Sequence, residues 1–134
     1  MGQKKPQAGS ITWVDLTVQN AEALRDFYKA VVGWETSDVS MGGYKDYCMN
    51  IPDSKETVAG VCHAKGENAD LPPAWLIYIT VSDLQESIKQ CYGRGGKTLT
   101  DIKDMGSGKY CVIQDPAGAV TALFEPAKLD KTNP

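Results

Sequence analysis

The sequence predicts an α+β fold built from two tandem βαβββ modules within 134 residues. Three observations support this. Thr17-Val18-Gln19-Asn20 recurs as Thr80-Val81-Ser82-Asp83, 63 residues on, and Tyr47-Cys48 recurs as Tyr110-Cys111 at the same spacing, which suggests a duplicated module. Each copy runs from an alternating apolar pattern to a helical one and then into three shorter strand patterns. A polar, proline-bearing stretch, 65–74, separates the copies and is expected to be a linker. The expected organisation is a single domain over 10–126, with modules at about 10–64 and 75–126. Residues 1–9 and 127–134 are expected to be flexible ends.

The elements follow in order. A strand is expected over 11–18, where Trp13, Asp15 and Thr17 alternate with Val14, Leu16 and Val18. Asn20 then offers a side-chain oxygen as a helix cap. Leu24, Phe27, Tyr28 and Val31 fall on one helical stripe, and Gly33 suits a left-handed stop. Strands are expected near 35–39, 44–50 and 57–63, with a turn at Met41-Gly42-Gly43. The second copy places a strand over 75–81, a cap at Asp83, and a stripe of Leu84, Ile88, Cys91 and Tyr92. Glu86 suits the positive start of that helix, and Gly93, Gly95 and Gly96 end it. Strands near 97–102, 110–114 and 120–124 complete the copy, with turns at 105–108 and Asp115-Pro116-Ala117-Gly118.

Composition excludes several function classes. The chain is 42% hydrophobic and 23% charged, ordinary for a globular domain. A net charge of −3 and a pI near 5.1 lack the basic field that nucleic-acid phosphates require. The N-terminal ten residues hold two lysines and no apolar run, unlike a signal peptide, and no window approaches a membrane span. The expected location is the cytoplasm. Cys48, Cys62, Cys91 and Cys111 form no C-x-x-C pair and are expected to pack as small hydrophobes.

"DLTVQNAEALRDFYKAVVGW", "YITVSDLQESIKQCYGRGGK" and "VIQDPAGAVTALFEP" together resemble the vicinal oxygen chelate superfamily. That group includes glyoxalase I, bleomycin-resistance proteins and extradiol dioxygenases. The resemblance covers about Ser10 to Pro126. It implies two modules whose mixed sheet curls around a shared cavity. Metal-dependent members hold a cation through four His, Glu or Gln side chains, on the first and last strand of each module. In the resembling pattern one ligand lies seven residues before the helix cap, and another seven residues after the Asp of the Asp-Pro turn. Here those counts reach Trp13, Leu76 and Ala122, and the 63-residue offset carries Ala122 to Ala59. None offers a donor that a cation would accept.

The resemblance therefore implies a fold and a cavity without the metal chemistry. The expected pocket is lined by Trp13, Asp15, Thr17, Val61, His63, Leu76, Tyr78, Ala122 and Phe124. Such a mixture suits a small apolar or aromatic molecule oriented by one or two hydrogen bonds. The expected function is metal-free sequestration or sensing of that ligand, as in the bleomycin-resistance branch. No cofactor, nucleic acid or membrane is expected, and the resemblance implies a homodimer. Two alternatives stand beside this reading. One is a lyase, isomerase or dioxygenase binding a divalent metal through Asp15, His63 and a third group. The other is a structural or regulatory subunit whose pocket its own side chains fill. Asp15 is read as a partly solvated strand residue or one hydrogen-bonded to Tyr78, on an equal footing with a ligand contact. His63 is read first as an exposed strand end, because a general base needs a placed partner. Tyr44 and Tyr47 are read as rim or packing residues, and Trp34 and Trp75 as structural.

Overall fold

The computed structural model describes residues 7–127. The flexibility expected of 1–6 and 128–134 lies outside the described residues. Gln7 to Gly9, also expected to fray, form a turn in which Ser10 N–H donates to Gln7 O at 3.0 Å and Gly9 N–H to Thr80 O at 2.8 Å.

The fold is α+β, with mixed parallel and antiparallel strands and two helices. The chain divides into two compact units, one of Trp13–Leu76 and the other joining the described residues before Trp13 to those after Leu76. In the first unit β1 (Ile11–Val18) leads into α1 (Ala21–Val32), followed by β2 (Glu35–Ser40), β3 (Lys45–Asn50) and β4 (Thr57–His63). Strand order is β2-β3-β4-β1, with β1 parallel to β4 and the other pairs antiparallel. The second unit holds β5 (Trp75–Thr80) from Ile77 on, α2 (Leu84–Gly93), β6 (Lys97–Thr98), β7 (Lys103–Asp104), β8 (Gly108–Gln114) and β9 (Val120–Pro126). There the order is β5-β9-β8-β6, with β5 parallel to β9 and β7 also paired to β8. A parallel pair cannot close through a tight turn, so each unit's helix and intervening strands form the crossover.

Each unit packs one sheet face against its helix. In the first, Leu16, Val18, Tyr47, Met49, Ala59 and Val61 form the core with Ala21, and Leu24, Tyr28, Trp34 and Trp75 pack beside it. In the second, Leu84, Cys111 and Leu123 are the centre, with Ile79, Val81, Ile88 and Ile113 around them. Burial of one such aliphatic side chain stabilises by roughly 1.5–3 kcal/mol. Of the four cysteines, Cys111 is buried and the other three are partly buried, all with free thiols.

Several local expectations are corrected. Asn20 makes no side-chain cap, because its backbone (φ −114°, ψ 64°) departs from the extended form that turns a cap toward the helix. Asp83 is extended and does cap: its carboxylate accepts from Glu86 N–H at 3.1 Å. The α1 stripe is only half used, since Phe27 and Val31 stay 53% and 63% exposed. Gly33 does stop α1, at φ 90°, with its N–H on Lys29 O. Of the single strand expected over 97–102 only Lys97–Thr98 forms, as β6, and the next strand, β7, begins beyond it at Lys103. Between them Val112 N–H donates at 3.0 Å to the buried Thr100 Oγ1, so a side chain replaces the next rung of the ladder.

Candidate functional site

In the first unit the β1–β4 register pairs Asp15 with Gly60, Leu16 with Val61 and Val18 with His63. Paired residues share a face, so Trp13, Asp15 and Thr17 share theirs with Gly60 and Cys62, opposite α1. Asp15 and Thr17 are 7% and 6% exposed, while Trp13 is partly open. Trp13 Nε1–H donates to Asp15 Oδ2 at 3.1 Å. A Cβ at Gly60 would lie 3.0 Å from Trp13 Cζ2 and 3.3 Å from Asp15 Cβ. The indole therefore rests over a glycine, where any Cβ would press on the ring.

Two residues expected on this wall are elsewhere. Val61 is fully buried on the α1 side, packed in the core with Leu16. His63 is on that side too: its ring centroid is 6.1 Å from Tyr47 and 5.5 Å from Tyr44. Its Nδ1 lies 3.2 Å from Asp46 Oδ1, which also accepts the His63 backbone N–H at 2.9 Å. His63 is thus a half-buried, oriented imidazole rather than a loose strand end, and its carboxylate partner is Asp46, not Asp15. Around it, the Arg25 guanidinium stacks 4.6 Å from the Tyr47 centroid and the Lys65 ammonium 4.8 Å from that of Tyr44. Cys62 is held protonated: burial, then the negative charges of Asp15 and Asp46, push its thiol well above the ordinary range. That makes it a poor nucleophile.

In the second unit Tyr78 pairs with Ala122 and Thr80 with Phe124, and Tyr110 with Phe124 and Val112 with Ala122. These residues share the face turned away from α2, and strand alternation adds Leu76. The Tyr78 and Tyr110 rings tilt at 55° with centroids 5.7 Å apart. Thr80 is 2% exposed, and its Oγ1 has no hydrogen-bond partner among the described residues. The structure thus brings Leu76, Tyr78, Ala122 and Phe124 onto one face, as it does Trp13, Asp15 and Thr17 on theirs.

The registers also correct the 63-residue offset. Asp15 and Tyr78 are equivalent at that spacing, but their partners Gly60 and Ala122 are one residue closer together. The equivalent of Ala122 is therefore Gly60, and Ala59 points into the α1 core. In β3 and β8 the slip runs the other way, since Cys48 faces Gly60 while Val112 faces Ala122. Tyr47 consequently points toward its helix and Tyr110 away, so the repeated Tyr-Cys pair is not structurally equivalent. Gly60, Asp46, Cys62 and Tyr110 were missing from the expected site; of these, only the glycine inside a strand carried a signal.

A metal at the superfamily's positions finds no fit here. Trp13, Gly60, Leu76 and Ala122 present carbon, an N–H already donated, or no side chain. Asp15 and His63, needed together by the metal-binding alternative, occupy opposite faces of one sheet. Among the described residues no three His, Cys, Asp or Glu side chains group as a cation site, and no helix is long and apolar enough to cross a membrane.

Comparison with known proteins gives the family. The model described as the Glyoxalase/Bleomycin resistance protein/Dioxygenase superfamily matches residues 10–123. CFP32 of Mycobacterium tuberculosis, whose name proposes a glyoxylase, is 29% identical over 119 residues, which are 87% of this chain and 46% of that protein. The anthracycline biosynthesis protein DnrV of Streptomyces peucetius is 29% identical over 117 residues, 87% of this chain and 42% of that one. The chain spans less than half the length of these relatives. Methylmalonyl-CoA epimerase from Mycobacterium tuberculosis shares the fold, with TM-score 0.56 at 15% identity over 95% of this chain and 94% of its own.

Proposed function

The chain belongs to the glyoxalase/bleomycin resistance protein/dioxygenase superfamily, and within it we propose a metal-free binding protein for a small, flat, largely apolar or aromatic molecule. The observation that carries this reading is the residue set at the superfamily's ligand positions. An indole, a glycine, a leucine and an alanine replace four donors, which removes a cation's ligands and leaves apolar surface. The faces beside them are aromatic with sparse polar points, the composition that binds apolar ligands and orients them with few hydrogen bonds. Tyr78, Tyr110 and Phe124 supply ring surface, and the buried Thr80 hydroxyl supplies an unmet hydrogen-bonding group. The name of DnrV points the same way, since anthracyclines carry a planar fused-ring system.

Tag-free protein, freshly purified, is examined by native mass spectrometry and then by melting against a panel of planar aromatic compounds. The reading expects no stoichiometric divalent metal, and at least one compound that raises Tm. A ligand at one hundred times its Kd stabilises by about 2.7 kcal/mol, which is a shift of several degrees for a domain of this size. About one equivalent of metal, or a panel without any Tm rise, overturns it. The latter outcome would favour a pocket filled by the protein's own side chains. The expected homodimer is read in the same spectrum.

A further inference from the structure

We propose that Trp13 is the residue that selects a flat, π-rich ligand: its indole, seated over Gly60 and held by Asp15, is a stacking wall standing where metal-dependent superfamily members place a cation ligand. The inference rests on the binding reading above and adds the determinant of specificity. Three features make the indole a prepared surface. Gly60 clears its seat, since any Cβ there would lie 3.0 Å from Trp13 Cζ2. The Nε1–H donation to Asp15 Oδ2 at 3.1 Å fixes the ring's rotation. And Asp15, 7% exposed within the sheet, is itself buried.

Packing alone does not account for this arrangement. The other two tryptophans lie on the α1 side in an aromatic cluster, where Trp75 Nε1–H donates to Tyr28 OH at 3.3 Å and the Trp34 and Trp75 centroids are 6.1 Å apart. Trp13 lies on the opposite face, remains partly open, and takes a buried carboxylate as its partner. Keeping a carboxylate out of water is costly unless its hydrogen bonds are made. A fixed, partly exposed ring binds a planar molecule without losing rotamer freedom, and offset stacking rewards flatness.

The test titrates two soluble probes of contrasting shape into full-length protein by calorimetry. Anthraquinone-2-sulfonate is planar and aromatic; adamantane-1-carboxylate is compact and saturated. Wild type is expected to prefer the planar probe. Trp13→Leu should weaken it about tenfold, the size of a lost aromatic contact, and leave the saturated probe within about twofold. Trp13→Phe should recover part of the planar preference. Gly60→Ala, which keeps Trp13 but displaces it, should weaken the planar probe; Asp15→Asn, which retains an acceptor oxygen, should not. Near-ultraviolet circular dichroism establishes that each variant is folded. Equal planar-probe affinity in wild type and Trp13→Leu overturns the inference while leaving the binding reading intact, as does an equal loss of both probes in folded Trp13→Leu or Trp13→Phe. If neither probe binds wild type, both readings fail.

Discussion

The two units follow one chain path and diverge on the face turned away from the helix. In the first, β4 turns Gly60 toward Asp15 and an indole occupies the vacated space, with a carboxylate and a thiol alongside. In the second, β9 turns Ala122 toward Tyr78, and two tyrosines and a phenylalanine cover the strand pair. The helix-facing sides differ less in kind than in bulk: Met49 and Val61 anchor one, Cys111 and Leu123 the other. Duplication preserved the scaffold while each copy's outer face took its own chemistry, because only the core-facing period is constrained by packing.

Substitutions made in both units measure how deep that difference goes. The largest effect is expected in the cores. Met49, fully buried, should cost about 2–5 kcal/mol as Met49→Ala, against roughly 1 kcal/mol for Cys111→Ala, by urea denaturation; equal losses would show that the two cores are equally packed. Next comes the outer face. Gly60→Val should cost about 1–3 kcal/mol by overpacking against Trp13, whereas Ala122→Gly should cost about 1 kcal/mol from chain entropy and lost contact. Adding Trp13→Ala to Gly60→Val should recover part of the loss, and strict additivity in that cycle would separate the two residues.

The helix starts give a finer contrast. Asp83→Ala should lower stability by about 1 kcal/mol, while Asn20→Ala, removing a side chain that caps nothing, should change it by a few tenths at most. The smallest effect is a pH dependence confined to one unit. Cys62 keeps its proton in the folded state, and the unfolded thiol loses it near pH 8.5. The unfolded state then binds fewer protons, so this contribution to stability falls as pH rises through that value. The difference between wild type and Cys62→Ala should therefore shrink by about 0.8 kcal/mol between pH 7 and pH 9; a difference independent of pH would remove the buried-thiol account.

Much of the scaffold was legible because strands and helices announce themselves by period. The strands 11–18 and 57–63 have the bounds expected of them, and Gly33 and Asp83 act as their residue types suggest. The site was legible only on the strands that open each copy. Trp13, Asp15 and Thr17 share a face by alternation alone, but Val61 and His63 were tied to them through an offset that β4 and β9 do not obey. A slip of one residue is invisible in composition and reverses every side chain of a strand. Asp46 beside His63 was out of reach for a different reason: the pairing joins two strands, and nothing in either segment names its neighbour.

The seating of Trp13 over Gly60 also orders this protein's possible histories. A side chain at position 60 crowds the indole, with its Cβ 3.0 Å from Trp13 Cζ2, and replacing the indole first uncovers a buried carboxylate. Each single step toward a donor at either position passes through a less stable intermediate, so the pair resists reversal one mutation at a time. Lineages that share this tryptophan and glycine should lose or keep them together, because a Cβ at position 60 sits a few tenths of an ångström too close to the indole.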